Sequence, residues 1–174
     1  MTYEINEHKS NDFVQKVTPQ KKRVRQLKFS IYTRVFEKQD NPNIYDYIIF
    51  IIDRFDTKKV IKGTTNIIDK DYSEFFCILE AIKYIYNSVE NDYKKFIIIK
   101  LFSNNIFTTN LLREWIYVWS LNDFNSCKLP SNTIYILKEI YNIINEIKID
   151  VFWITKTTDE TTWLLYSKNS IEEF

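Results

Sequence analysis

Several residue types that carry common chemistries are almost missing from this chain. Among its 174 residues there is one histidine, His8, so neither a histidine-based metal site nor a His-dependent hydrolase triad can be assembled. The two cysteines, Cys77 and Cys127, are too few and too far apart for a disulfide framework or a zinc site, and they fit a reducing, intracellular compartment. No apolar run is long enough to span a bilayer: the longest, Ile48 to Ile52, falls far short of the roughly 20 residues required. Met1 is followed by polar and charged residues, so no export signal is expected. A net charge of +1 gives no general electrostatic case for nucleic-acid binding, and any such case must rest on a local patch. Glycine and alanine occur once each, as Gly63 and Ala81. Ile, Asn, Lys, Tyr and Phe abound instead, which points to an AT-rich genome such as that of a virus, plasmid, organelle or parasite.

What is present is enough to fold. Hydrophobic residues make up 45% of the chain and aromatics 17%, and the length suits one domain with a sizeable core and an appended arm. Residues 1–26 form that arm, polar and without a sustained apolar period. Its end gathers Lys16, Lys21, Lys22, Arg23 and Arg25 around Pro19. A solvated tail is the plain reading, and a contact arm for phosphate or an acidic partner the functional one.

From Leu27 onward the pattern is regular, and residues 27–174 are read as one domain. Leu27 to Thr33 alternates as a strand does. Asp40-Asn41-Pro42-Asn43 predicts a turn, and the nearly all-apolar Tyr45 to Ile52 a central strand. Asp53 to Thr57 reads as a turn and Lys58 to Thr65 as a third strand. Asp71 or Ser73 is expected to cap a helix with Phe75, Leu79, Ile82 and Ile85 on one face. Phe96 to Phe102 predicts a fourth strand, and Asn105 to Trp119 a helix for which Asn104 and Asn105 are natural cap residues. Ser131 is expected to cap a further helix with Ile134, Leu137, Tyr141 and Ile144 on one face. Ile149 to Ile154 makes a fifth strand, and the tail from Thr162 reads as a last helix.

The stretch that carries most information is 101–119. Phe102-Ser103-Asn104-Asn105-x-Phe107 is followed by Asn110 and by Trp115 and Trp119, four residues apart. This resembles the core of type 1 ribonucleases H, which read Tyr-Thr-Asp-Ser-x-Tyr, then Asn, then two tryptophans at the same spacing. Glu74 followed by Ala81 and Ile82 is similar to the family's catalytic glutamate with its small residue and leucine or isoleucine. The resemblance covers roughly residues 27–163. It implies an α/β fold with a mixed five-stranded sheet, the first three strands antiparallel, and helices on both faces.

The same resemblance implies a site that has lost its chemistry. Asn104 stands where the family has a metal-binding aspartate, and Arg34, after Ile31-Tyr32-Thr33, where it has another. Trp163 stands where the family's last aspartate belongs, after Asp159-Glu160, and Thr155 to Thr158 contains no histidine. Only Glu74 remains, and its plain reading is an acid favoured by the helix dipole. An amide supplies no negative charge to magnesium, and two-metal hydrolysis needs acids clustered so that two cations lie about 4 Å apart. Arg34 is expected to pair with Glu74 as a structural ion pair, with contact to a phosphate as its other role. The tryptophans are expected to pack into the core. Between Arg113 and Lys128 there is no Lys or Arg, which weakens a handle-type grip on a hybrid.

The function expected is therefore a catalytically inactive ribonuclease H-like domain, a protein-interaction or scaffold module in a larger, nucleoprotein-type assembly, with no cofactor and no membrane. One alternative is non-cleaving nucleic-acid binding through Lys16, Lys21, Lys22, Arg23, Arg25 and Arg34. Another is a divergent magnesium-dependent nuclease in which Asp53, Glu74, Asp159 or Glu160 regroup. Asp53 stands too close in sequence to Glu74 to leave room for two further strands, so it reads as a turn residue.

Overall fold

A computed structural model of the chain describes residues 25–67 and 69–153. Five strands form one sheet in the order β3-β2-β1-β4-β5: β1 (Leu27–Lys38), β2 (Asn41–Asp53), β3 (Lys58–Thr65), β4 (Ile97–Ser103) and β5 (Lys148–Trp153). The first three run antiparallel, and β1–β4 and β4–β5 are parallel. The parallel pairings need crossovers, which the helices supply. These are α1 (Lys70–Ser88), α2 (Ile106–Asn110), α3 (Ile116–Ser120) and α4 (Ser131–Ile144).

All five expected strands form, with ends shifted. β1 runs five residues past Thr33, because the turn sits at Gln39–Asp40 and not within Asn41–Asn43, which already belong to β2. The Asp53 turn is as read: its Oδ1 accepts from the backbone N–H of Phe55 at 2.8 Å and of Thr57 at 2.9 Å. Such a carboxylate-to-backbone loop substitutes for a backbone turn.

The core lies between one sheet face and the helices. Ile31 and Val35 of β1, Ile49 and Ile51 of β2, Ile99 and Leu101 of β4 and Val151 of β5 meet Phe75, Ile78, Ile82 and Ile85 of α1 and Leu137 and Ile140 of α4. The predicted face of α1 is observed, with Cys77, Ile78 and Ala81 added to it. Its cap is corrected to Asp69, whose side chain accepts from the N–H groups of Asp71 and Tyr72; Asp71 and Ser73 lie inside the helix. The buried face of α4 is Thr133, Ile136, Leu137, Ile140 and Ile144, rotated from the expected one, and Ser131 begins the helix without capping it through its side chain. On the other sheet face Tyr32, Phe102 and Phe152 stack across β1, β4 and β5, with ring centroids 4.7 Å and 5.3 Å apart. The helix expected from Thr162 lies outside the described residues.

The helix expected over Asn105 to Trp119 is one rod in three parts. α2 and α3 are joined by a π-helical turn, Leu111–Trp115. Arg113, within that turn, donates from Nε to the Val151 carbonyl of β5 at 2.8 Å. The extra residue per turn re-aims the rod. Leu111, Leu112 and Ile116 enter the core, whereas Trp115 is 54% exposed. The expectation that both tryptophans are core residues is thus corrected: only Trp119 packs against the core, with Trp115 edge-on to it at 5.6 Å.

Candidate functional site

The parallel ladder between β1 and β4 ends at Tyr32 and Phe102, while β1 continues. Past that point β4 leaves the sheet through Asn104 and Asn105, and the gap is faced by the first turns of α1. The result is a cleft of about 380 Å³ lined by Thr33, Arg34 and Val35 of β1, Lys70, Asp71 and Glu74 of α1, and Asn104 to Ile106. Three of the expected positions, Arg34, Glu74 and Asn104, therefore do converge, although they come from three elements far apart in sequence.

Glu74 is at the floor and 6% exposed. Its carboxylate receives three hydroxyls: Thr33 donates to Oε1 at 3.1 Å, Ser103 to Oε1 at 2.7 Å, and Thr108 to Oε2 at 2.7 Å. The middle of β1, the end of β4 and α2 are thus tied to a single side chain of α1. Burial pushes the Glu74 carboxyl above its ordinary value, the three hydroxyls oppose this, and nearby Asp71 adds to it. The sequence signal for these partners was weak, since Thr33, Ser103 and Thr108 are ordinary strand and cap residues when read singly.

Arg34 does not pair with Glu74, contrary to expectation. On an alternating strand Thr33 takes the helix-facing position next to Glu74, and its neighbour Arg34 is exposed at the cleft wall. Asn105 caps α2, as read, by accepting from the Phe107 N–H at 2.9 Å. Its amide also donates to Asp71 Oδ1 at 2.6 Å. Asn104 is exposed on the rim.

These residues do not fit a pair of divalent cations. Glu74 spends its oxygens on hydroxyls and Asp71 shares one with Asn105, while Arg34 and Lys70 bring positive charge. Among the described residues no group of three or more His, Cys, Asp or Glu side chains could hold a metal ion. Asp53 lies elsewhere: it pairs with Phe29, four residues before Thr33 along β1, about 13 Å away at strand spacing. Of the other expected positions, Arg25 is exposed just ahead of β1, and Lys16, Lys21, Lys22, Arg23, Asp159, Glu160 and Trp163 lie outside the described residues.

A central β1 flanked by antiparallel β2 and parallel β4, with a cleft where β1 and β4 separate, is the decisive arrangement. The chain has the ribonuclease H fold. The structure is similar to prototype foamy virus protease–reverse transcriptase, with a TM-score of 0.57 and 14% identity over 79% of this chain and 19% of that one. It is similar to LC9-RNase H1, a type 1 RNase H, with a TM-score of 0.55 and 7% identity over 76% of this chain and 65% of that one. The solution structure of the foamy virus RNase H domain is also similar, with a TM-score of 0.51 and 13% identity over 77% of this chain and 82% of that one. This chain spans about a fifth of the foamy virus protease–reverse transcriptase and 65% of LC9-RNase H1. No protein-family model matches the sequence, and no curated protein matches it. The likeness to ribonucleases H is thus one of fold.

Proposed function

We propose that this chain is a catalytically inactive ribonuclease H-like domain that serves as a protein-interaction or scaffold module within a larger assembly. The observation that carries the reading is the occupancy of the cleft. Around the Glu74 carboxylate, where acids would have to cluster, stand the hydroxyls of Thr33, Ser103 and Thr108, and each of them donates a hydrogen bond to it. Two-metal phosphodiester hydrolysis requires negative charge shared between two cations, and next to Glu74 the cleft offers hydroxyls in place of further acids. A strip of exposed apolar residues on the α2–α3 rod, Trp115, Val118 and Leu121, supports a surface that meets another protein.

A second reading is nucleic-acid binding without cleavage. It is favoured by Arg34 and Lys70 in one cleft, and by the foamy virus protease–reverse transcriptase in complex with dsDNA, which this fold resembles with a TM-score of 0.53. The divergent-nuclease reading loses its best relocated acid, since Asp53 lies along β1 away from Glu74. Two buried free cysteines are in keeping with a reducing compartment, and no described helix is long and apolar enough to cross a membrane.

The test is incubation of the purified chain with an RNA–DNA hybrid in magnesium and then manganese, beside Glu74→Ala. No cleavage by folded protein is the expected result. Cleavage that Glu74→Ala abolishes would overturn the proposal.

A further inference from the structure

The sheet has two edges, β3 and β5, and their sequences differ in kind. β3 carries Lys58, Lys59 and Lys62, the sort of charge that keeps a free edge from pairing with another chain. β5 has Lys148 and Asp150, which pair with each other at 3.7 Å, and is otherwise Ile149, Val151, Phe152 and Trp153. In a strand the N–H and C=O of one residue point to the same side, and successive residues alternate between sides. The Val151 carbonyl accepts from Arg113 Nε at 2.8 Å, so it points away from β4. The backbone groups of Ile149, Val151 and Trp153 are therefore the outward-facing set. Among the described residues, Arg113 is the one side chain that bonds to any of them.

A groove of about 290 Å³ runs beside these groups, with Arg113 and Tyr117 of the rod on one side and Ile149 to Phe152 on the other. Ile149 and Val151 turn toward the helices, whereas Phe152 stacks on Phe102 on the opposite face and Asp150 alternates with Val151. A space touched by side chains of both faces lies along the edge of the strand. The bond to Val151 holds the Arg113 guanidinium at this groove, and its outer N–H groups meet no acid. Among the described residues the ion pairs join Lys83 with Glu139, Lys138 with Asp123 and Lys148 with Asp150. Tyr117 and Phe152 add rings that are 42% and 37% exposed.

We propose that the β5 edge is a docking site for an extended peptide of a partner protein, which joins the sheet as a further strand and sets an acidic side chain on Arg113. Main-chain hydrogen bonds to Ile149, Val151 and Trp153 supply the pairing, as when a peptide adds to any open sheet edge. The Val151 carbonyl has a second lone pair, so it accepts from the peptide beside Arg113. The carboxylate takes the free side of the guanidinium, and apolar side chains lie against Tyr117 and Phe152. Charge selects the partner: Asp150 is answered by Lys148, the charge left over in the groove is positive, and the complementary segment is acidic. This goes beyond the proposed function, which leans on the outer strip of the rod, and it does not depend on the loss of catalysis.

The experiment selects short linear peptides from a displayed random library on the full chain and measures the enriched ones by fluorescence anisotropy. Expected are sequences that alternate apolar residues around an Asp or Glu, and that shift the amide NMR signals of Ile149, Val151 and Trp153. Binding should weaken about tenfold in Arg113→Ala, and as much when the peptide's acid is replaced by its amide and the chain is left unchanged. Those two losses should not add, because they remove one contact. Arg113→Lys, which keeps charge but loses the fork, should fall between. The peptide variant keeps the test decisive even where Arg113→Ala folds poorly. Methylating alternate backbone nitrogens of the peptide should abolish binding. No enrichment, enriched peptides without an acid, NMR shifts confined to Trp115, Val118 and Leu121, or losses that add would each overturn the proposal. So would a dimer of this chain with its shifts on β5, which would put a second copy on that edge. Hybrid cleavage in magnesium would sink the inactive reading and leave this inference untouched.

Discussion

Thr33 Oγ1 donates to Glu74 Oε1 over 3.1 Å, joining the middle of the central strand to the first turns of the helix above it. The contact is one of three hydroxyls on the same carboxylate, and it makes Glu74 a structural hub between β1, β4, α1 and α2. A site that holds its glutamate in this way has turned a charged residue inward.

Glu74→Gln follows from that. A glutamine keeps the shape, its carbonyl accepts from Thr33 and Ser103, and its amide donates to Thr108 Oγ1. The folded-state value of Glu74 is raised above the ordinary 4.5, so between the two values the unfolded chain binds fewer protons than the folded one. Stability supplied by the protonated form is complete below the ordinary value and is lost as pH rises through the raised one. The stability of Glu74→Gln relative to the parent should therefore increase as pH rises above about 4.5 and then level off. Urea melts at a series of pH values read this directly. A parallel pair of pH curves would mean that burial does not shift Glu74.

Much of this was legible in the sequence, and the reason is periodicity. Strand alternation from Leu27, the apolar run at Tyr45 to Ile52 and the Phe75-Leu79-Ile82-Ile85 face each survive as predicted, because burial imposes those spacings. Arg34, Glu74 and Asn104, singled out through their spacing in a resemblance, line one cleft. The exposure of Trp115 was not legible. It depends on a π-helical turn that shifts the face of the rod by one residue, and nothing in Leu111 to Trp115 announces it. Nor was the fate of Arg34: pairing with Glu74 looked natural by charge, but strand alternation gives that position to Thr33.

Thr108→Val removes a donor to a buried carboxylate. The loss should be about 1–3 kcal/mol, the cost of an unmet hydrogen bond to a buried group. Thr64 offers the comparison, since its Oγ1 donates to Asp46 at 2.7 Å in an exposed place. Thr64→Val should cost distinctly less, because water satisfies Asp46 there. Equal losses in chemical denaturation would show that the Thr108 contact gains nothing from burial.

The single glycine is a matter of space. Gly63 of β3 is paired with Tyr47 of β2, and a Cβ added at 63 would collide with the phenol oxygen and ring of Tyr47, its Cε1 lying at 2.9 Å. Tyr47 cannot swing away freely, being 7% exposed and packed edge-on to Phe76. Gly63→Ala should destabilise by about 1–3 kcal/mol, as overpacking does. The double variant Gly63→Ala Tyr47→Leu should recover part of the loss, as judged by thermal melts. No recovery would place the cost in the backbone.

Val118 and Ile116 sit two residues apart on the same short helix, yet one is 62% exposed and the other fully buried. If the strip Trp115, Val118 and Leu121 is surface and not core, Val118→Ala and Leu121→Ser should each change stability by no more than about 0.5 kcal/mol. Ile116→Ala should cost about 2–5 kcal/mol, since it leaves a cavity beneath the rod. The contrast is read from urea midpoints at constant slope. It also separates two explanations of the apolar strip. Residues kept for folding would lose stability in step with Ile116, whereas residues kept to meet a partner would not. Losses at Val118 comparable to those at Ile116 would place the strip in the core and remove the surface on which the interaction reading leans.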